Sequence, residues 1–439
     1  LQNFSLSLAL NKTIVFSMPQ YDVTIIGAGV AGLSAAIHLQ NEGLSVKILE
    51  AADAVGGRMR TDKVDGFLLD RGFQVMLTAY PELMKMLDYD SLGLKHFFPG
   101  ALIRYNDKTH VLADPFRKPT VALGGLFAPI ANIGDIIKVW AIRNRTRRFS
   151  IEQIFQQKEQ ATLDYLREWN FSEKMIHSFF KPFFGGIFLE ENLQTSSRMF
   201  NFVFKMFAKG YAALPAEGIE AIPKQLAERL EKDSLSLNTK VVSVKPNEVT
   251  LENGEKINTR AILIATQAEN VMQMIDYQPT TTKTNSVKCL YFSTDRPPFT
   301  RPFIMLNGEN TGYINNICVP SVINPSYAPA GRHLISVSII KDTSHLEEEE
   351  LLLEVKRELR QWFKKEIRFW DFLKMYDIEQ ALPQKHQIEL LNKNDIKPIQ
   401  KGIYIAGDHL QHASIQGAME SARIVTNAIS WDLALSNDD

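Results

Sequence analysis

Residues 21–50 run strand, glycine turn, helix, strand and acid without a break, and few folds accept that order. Tyr21 to Ile26 is a short run of β-formers, and Gly27-Ala28-Gly29-Val30-Ala31-Gly32 follows at once. Leu33 to Asn41 carries apolar residues at helical spacing, Gly43 supplies a C-terminal stop, and Ser45 to Leu49 reads as a second strand leading to Glu50. Gly27 permits the tight turn, Gly29 lets backbone approach a pyrophosphate, and Gly32 lets helix and strand pack closely. The phosphates then meet free N–H groups at the positive end of the helix. Glu50 stands about twenty residues past the turn, where an acid accepts hydrogen bonds from ribose hydroxyls. Gly27, Ala28, Gly29, Gly32 and Glu50 are therefore candidate contacts to a dinucleotide. The unit by itself does not separate FAD from NAD.

The next residues make that choice. Gly56-Gly57-Arg58-Met59-Arg60-Thr61 comes straight after the acid-bearing strand. It resembles the second glycine pair and arginine of the flavin-containing amine oxidase superfamily, which also holds protoporphyrinogen oxidases and phytoene desaturases. The resemblance implies that Gly56, Gly57 and Arg58 hold the FAD diphosphate. It extends through Asp65-Gly66-Phe67-Leu68-Leu69-Asp70-Arg71-Gly72-Phe73-Gln74, implying that Gly72, Phe73 and Gln74 lie beside the flavin ring. Asp70 and Arg71 read either as a structural ion pair or as catalytic groups.

One βαβ unit does not close a domain, so the cofactor fold is expected to return later in the chain. Pro215 to Ile219 leads into a helix over Glu220–Arg229, followed by strands at 238–244, 249–253 and 261–266. By position in the superfamily Val241 covers the adenine; a purely structural strand valine is the other reading. Gly402-Ile403-Tyr404-Ile405-Ala406-Gly407-Asp408 is a strand ending in Gly-Asp, and Ser414 to Ala422 opens a last helix. This is similar to the superfamily's closing FAD motif. The likeness implies that Asp408 meets the ribityl–phosphate region, while Gln416, Gly417 and Ala418 set a helix N-terminus against the flavin pyrimidine. Such a dipole suits the negative charge that reduced flavin gathers. A plain cap by Ser414 explains that helix start alone equally well.

At 439 residues the chain exceeds one ordinary core. The expected architecture is α/β: a two-domain FAD-binding fold, glutathione-reductase-like and Rossmann-type, with a discontinuous α+β substrate domain. Residues 19–75, 211–285 and 395–435 form the FAD-binding domain, residues 76–210 and 286–394 the substrate domain, and 1–18 an N-terminal extension. Met18 directly precedes the first strand pattern, so 1–17 reads as a loose extension rather than a signal peptide. Its 49 basic and 50 acidic side chains give a formal charge of −1, which supplies no field for nucleic acid or an anionic membrane. Two cysteines, Cys289 and Cys318, form no motif that would bind metal or exchange disulfides. No metal site is expected, and the setting reads as reducing and cytoplasmic, with membrane association as the variant.

Between the cofactor segments, the first insertion reads mostly as helix and the second as strand runs with a charged helix over 345–363. The apolar run Thr120–Gly134 is either buried or forms a greasy channel wall or monotopic dip, which would bring peripheral membrane contact and a path for an apolar substrate. Ser178 to Phe188 is strongly aromatic and similar to the substrate side of the porphyrinogen and desaturase relatives; hydrophobic core is the other reading, and is favoured for Phe200, Phe202, Phe204 and Phe207. Amine oxidases often place aromatic residues after the last Gly-Asp. Here His409-Leu410-Gln411-His412-Ala413 has no Tyr or Trp, which turns the expectation toward a desaturase-like or porphyrinogen-like reaction. His409 and His412 read as acid–base candidates or as polar surface. The expected function is FAD-dependent oxidation (dehydrogenase, oxidase or desaturase) of an apolar small molecule, carotenoid-, terpenoid- or porphyrinogen-like. The FAD is non-covalent, the acceptor is oxygen, a quinone or another carrier, and no catalytic side chain is assigned. Amine oxidation and a non-redox FAD isomerase are the alternatives.

Overall fold

The structure is a computed structural model that describes residues 20–121, 129–275, 277, 283–392, 394 and 396–436. The expected extension 1–18 lies outside the described residues, as do positions 122–128 of the apolar run.

Strand β1 (Tyr21–Ile26), helix α1 (Val30–Asn41) and strand β2 (Val46–Leu49) form where the sequence places them. Gly43 ends α1 with a φ of 79°, a left-handed value that costs glycine little. β1 pairs in parallel with β2 and, on its other side, with β3 (Lys256–Ile264). Strand β4 (Ile403–Ile405) pairs in parallel with the C-terminal half of β3. The N-terminal half of β3 instead joins an antiparallel meander with Glu248–Leu251 and Val241–Lys245. A short strand, Leu235–Ser236, closes the far edge against β2.

Side chains alternate across this sheet as strand geometry requires. Val23, Ile25, Ile48, Ala261, Leu263 and Tyr404 join the core under α1 and the last helix, α2 (Ile415–Leu435). Ile26, Leu49, Ile262, Ile264, Ile403 and Ile405 enter a separate cluster on the opposite face. Both faces are buried, which accounts for the near-continuous apolar runs in these strands.

A second seven-stranded sheet runs Asp371–Pro383, Thr284–Thr294, His333–Ile339, Asn316–Cys318, Ile304–Asn307, Gly100–Tyr105 and Lys108–Ala113. Helix Glu348–Phe363 covers one face through Leu351, Val355 and Leu359. The last two strands of this sheet come from the first insertion, which is mostly helical as expected but also contributes this pair. They form a two-residue hairpin in which Asn106 and Asp107 take φ of 52° and 54°, the backbone that matches strand twist. Helices Ile133–Arg148, Lys181–Phe188 and Ser197–Lys209 supply the rest of that insertion. Among the described residues no helix is long and apolar enough to cross a membrane.

Candidate functional site

One cavity of about 1280 Å³ runs along the C-terminal ends of β1, β3 and β4 and on toward the second sheet. That edge is where open α/β sheets bind ligands. Gly27 turns the chain there with a φ of 101°, its N–H donating to Leu49 O at 2.8 Å. No side chain caps α1, so its first-turn N–H groups keep their donor capacity, and Gly29, Val30 and Ala31 line the cavity. Opposite them Gly56 and Gly57 bend at φ of 113° and 58°, and Gly56 N–H donates to Ala28 O at 2.9 Å. A Cβ on Gly57 would stand 3.6 Å from Gly29 Cα, so the two glycine turns face each other closely.

Glu50 sits at the edge of this cradle, its carboxylate accepting Ala28 N–H at 2.7 Å and Ala52 N–H at 2.8 Å. A carboxylate has about four acceptor positions, so two remain for hydroxyl donors. Arg58 crosses the cavity wall. Its guanidinium donates to Asp408 Oδ2 at 2.7 Å and to Ala381 O at 2.9 Å, joining residues 350 positions apart in the chain. Gln74 Nε2 donates to Arg58 O at 2.9 Å and fixes that segment from behind. Gly72, Phe73 and Gln74 line the cavity, as do Asp408 and Ala418.

Other sequence-chosen positions lie behind the surface. Ala28 is fully buried, and a Cβ on Gly32 would come within 2.0 Å of Gly27 O, so that glycine serves the packing of helix on turn. Val241 packs in the cluster with Ile26, Leu49 and Ile264 rather than on the cavity. Gln416 Oε1 accepts Glu82 N–H at 2.8 Å, and Gly417 N–H donates to the capping Ser414 Oγ at 3.0 Å. The start of α2 still reaches the cavity through Ala413, Ser414, Ile415 and Ala418.

Asp70 and Arg71 do not pair with each other. Arg71 binds Asp62 at 2.9 Å, while the buried Asp70 accepts Thr61 Oγ1 at 2.6 Å, Ile219 N–H at 2.9 Å and Tyr327 Oη at 2.9 Å. Burial pushes its carboxyl up to about 6 despite those donors. His409 and His412 are buried outside the cavity lining, and burial lowers them to about 4 and about 3, leaving both neutral near pH 7. His412 stacks on Phe155 and its Nδ1 shares a 2.9 Å hydrogen bond with Ser414 Oγ, so it serves the base of α2.

Beyond the cradle the cavity is largely apolar, with Asp114, Arg117, Arg143 and Asn316 as polar exceptions in its wall. A π-helical turn at Ile176–Phe180 precedes Lys181–Phe188, a widening often found at functional sites. Phe179 and Phe183 stack at 5.3 Å and line the chamber, while Phe180 turns into the core. On Ser197–Lys209, Phe204 and Phe207 line the chamber and Phe200 and Phe202 are core, so the helix is apolar on two faces. Among the described residues of the lining there is no His, Lys or Cys. Thr266, Gln267 and Tyr80 also line the cavity and escaped the sequence reading. Thr266 carried a usable signal, since it follows the C-terminal end of a parallel strand; Tyr80 carried none.

The residues present fit a dinucleotide. A Cβ at Gly29 would meet nothing within 4 Å, so there is open room before an uncapped helix start, with an acid on one side and an arginine on the other. A family model described as flavin containing amine oxidoreductase matches residues 30–430. The chain is 24% identical to protoporphyrinogen oxidase 2, chloroplastic/mitochondrial, of Arabidopsis thaliana, over 51% of this chain and 50% of that protein. It is 43% identical to putrescine oxidase of Kocuria rosea over 25% of this chain and 26% of that one. The chain thus spans about half the length of these curated relatives, or less. A solved oxidoreductase from Methanosarcina mazei superposes with a TM-score of 0.72 at 14% identity, covering 92% of this chain and 99% of that one. The fold is that of the two-domain FAD-binding oxidoreductases.

Proposed function

This chain belongs to the flavin containing amine oxidoreductase family, and on that premise we propose that it is an FAD-dependent oxidoreductase acting on an apolar small molecule. The FAD-binding domain is assigned to residues 19–75, 211–285 and 395–435, and the substrate domain to 76–210 and 286–394. FAD, held without a covalent link, supplies a two-electron acceptor for a hydride leaving a C–H or N–H bond. Gly29 and the start of α1 take the pyrophosphate, Glu50 the ribose, and Arg58 with Asp408 the diphosphate and ribityl stretch. The backbone of Gly72 and Phe73 borders the ring, and the start of α2 offers its positive end to the pyrimidine edge.

The observation that carries the substrate class is the chamber itself. Phe179, Phe183, Phe204 and Phe207 give it apolar walls, no histidine, lysine or cysteine stands among its described lining residues, and the Asp114 carboxylate in the lining lies against Arg117 and Arg143. Hydride abstraction needs position and dryness more than side-chain chemistry, so such walls suit a carotenoid-, terpenoid- or porphyrinogen-like compound. Oxygen, a quinone or another carrier takes the electrons away.

Anaerobic titration of the yellow protein tests the reading. Polyene or porphyrinogen substrates are expected to bleach the visible flavin absorbance. Bleaching by amines alone would replace this function with amine oxidation.

A further inference from the structure

Helix Ile133–Arg148 turns large apolar side chains outward: Ile133 is 74% exposed, Ile137 59% and Trp140 50%. Phe116, 45% exposed, is tied to them by the Arg143 guanidinium lying 4.3 Å over its ring. Helical spacing puts Ile133, Ile137, Trp140, Asn144 and Arg147 along one side, while Asp135, Ile142 and Thr146 on the other are buried. Contiguous exposed apolar surface of this kind marks an interaction site.

Two further features say what covers it. The helix carries Lys138, Arg143, Arg145, Arg147 and Arg148 against Asp135, and Arg145, Arg147, Arg148 and the nearby Lys118 are exposed. A chain that is nearly neutral as a whole is thus basic at this face. Ile137 and Trp140 also line the cavity, so the apolar stripe runs over the lip into the chamber. An apolar partner with anionic groups at fixed depth matches both.

We propose that this face docks on an anionic lipid bilayer. Ile133, Ile137 and Trp140 enter the acyl boundary, Arg147 and Arg148 meet the headgroups, and the chamber opens into lipid. That the chamber then draws its substrate from the membrane rests on the apolar-substrate reading above; the docking does not.

Flotation of the FAD-loaded full chain with phosphatidylcholine vesicles, with and without about one-third phosphatidylglycerol, tests it. The protein is expected to float with the anionic vesicles, weakly with neutral ones, and to release in high salt. Ile133→Asn and the pair Arg147→Glu/Arg148→Glu, none on the cavity wall, are expected to lower vesicle affinity about tenfold or more. Both leave the visible spectrum and the reduction of detergent-dispersed substrate as in wild type. A wild-type chain that stays unbound, or variants that float equally well, would overturn the docking. So would a dimer in light scattering that Ile133→Asn splits, since a second copy then covers the face. A chain that floats, yet whose flavin no apolar compound reduces, upholds the docking and removes the substrate reading.

Discussion

Two glycines three positions apart are small for opposite reasons. At Gly32 the limit is the protein's own backbone, with Gly27 O at 2.0 Å from an added Cβ. At Gly29 the space is open, and its φ of −72° suits any residue. Gly29→Val is therefore expected to fold, by circular dichroism, yet purify colourless, whereas Gly32→Val fails to fold. A yellow Gly29→Val protein would remove the pyrophosphate from this turn. Asp70 offers a separate test. Its carboxyl is raised from 3.8 to about 6, burial outweighing three hydrogen bonds. A raised acid favours the protonated native state, so its stabilising contribution is complete below about pH 4 and is lost as pH rises through about 6. The loss amounts to about 3 kcal/mol at most. Asn at this position keeps the acceptor that Thr61 and Ile219 use and does not ionise. Relative to wild type, Asp70→Asn is expected to gain thermal stability between about pH 4 and pH 6; parallel melting curves across that range would refute the assignment.

Among the elements, the outward helix Ile133–Arg148 depends on one buried lysine. Lys205 Nζ donates to Thr146 O at 2.9 Å and Arg147 O at 3.2 Å, and also to Phe149 O, placing a cation at the carbonyl end of that helix. Lys205→Met leaves those carbonyls without a donor and is expected to cost about 2 kcal/mol in denaturant melts. A loss below about 0.5 kcal/mol would mean that water replaces the ammonium. In the sequence Lys205 stands among phenylalanines and looks like a solvent-facing position, because the helix end it serves lies about sixty residues earlier. The same limit explains most of what was missed. Strand β1, the glycine turn and α1 were legible because spacing and glycine position are local. Arg58 was legible as a candidate, and it does reach the cavity, but its grip on Asp408 and Ala381 was not, since no local pattern reports a partner hundreds of residues away. Phe204 and Phe207 differ from Phe200 and Phe202 only in which neighbours face them. The hairpin at 100–113 hid because its apolar run is brief and ends in Arg104, a side chain that is buried here beside Asp107.

The molecule as a whole is threaded so that neither sheet is contiguous in the chain. The cofactor sheet takes strands from residues 21–49, 235–264 and 403–405, and the second sheet from 100–113 and 284–383. Removing residues 402–439 deletes β4 and α2, with Ile403, Ile405, Met419, Ala422, Val425 and Ile429 from the two cores flanking the sheet. Such a truncation is expected to yield no soluble, flavin-loaded protein; a yellow, folded product would show that the last helix is dispensable. Added FAD is expected to raise the melting temperature, stabilising the folded state by about 2.7 kcal/mol at a hundredfold excess over Kd, since the ligand binds only the folded state. The threading also sets a schedule for the cell. Arg58 leaves the ribosome long before Asp408 is even decoded, 350 residues later. If that pair holds the coenzyme as proposed, the grip closes only after residue 408 is made, so riboflavin shortage would strand long, greasy-walled chains rather than short fragments, and these are what a chaperone or protease must meet.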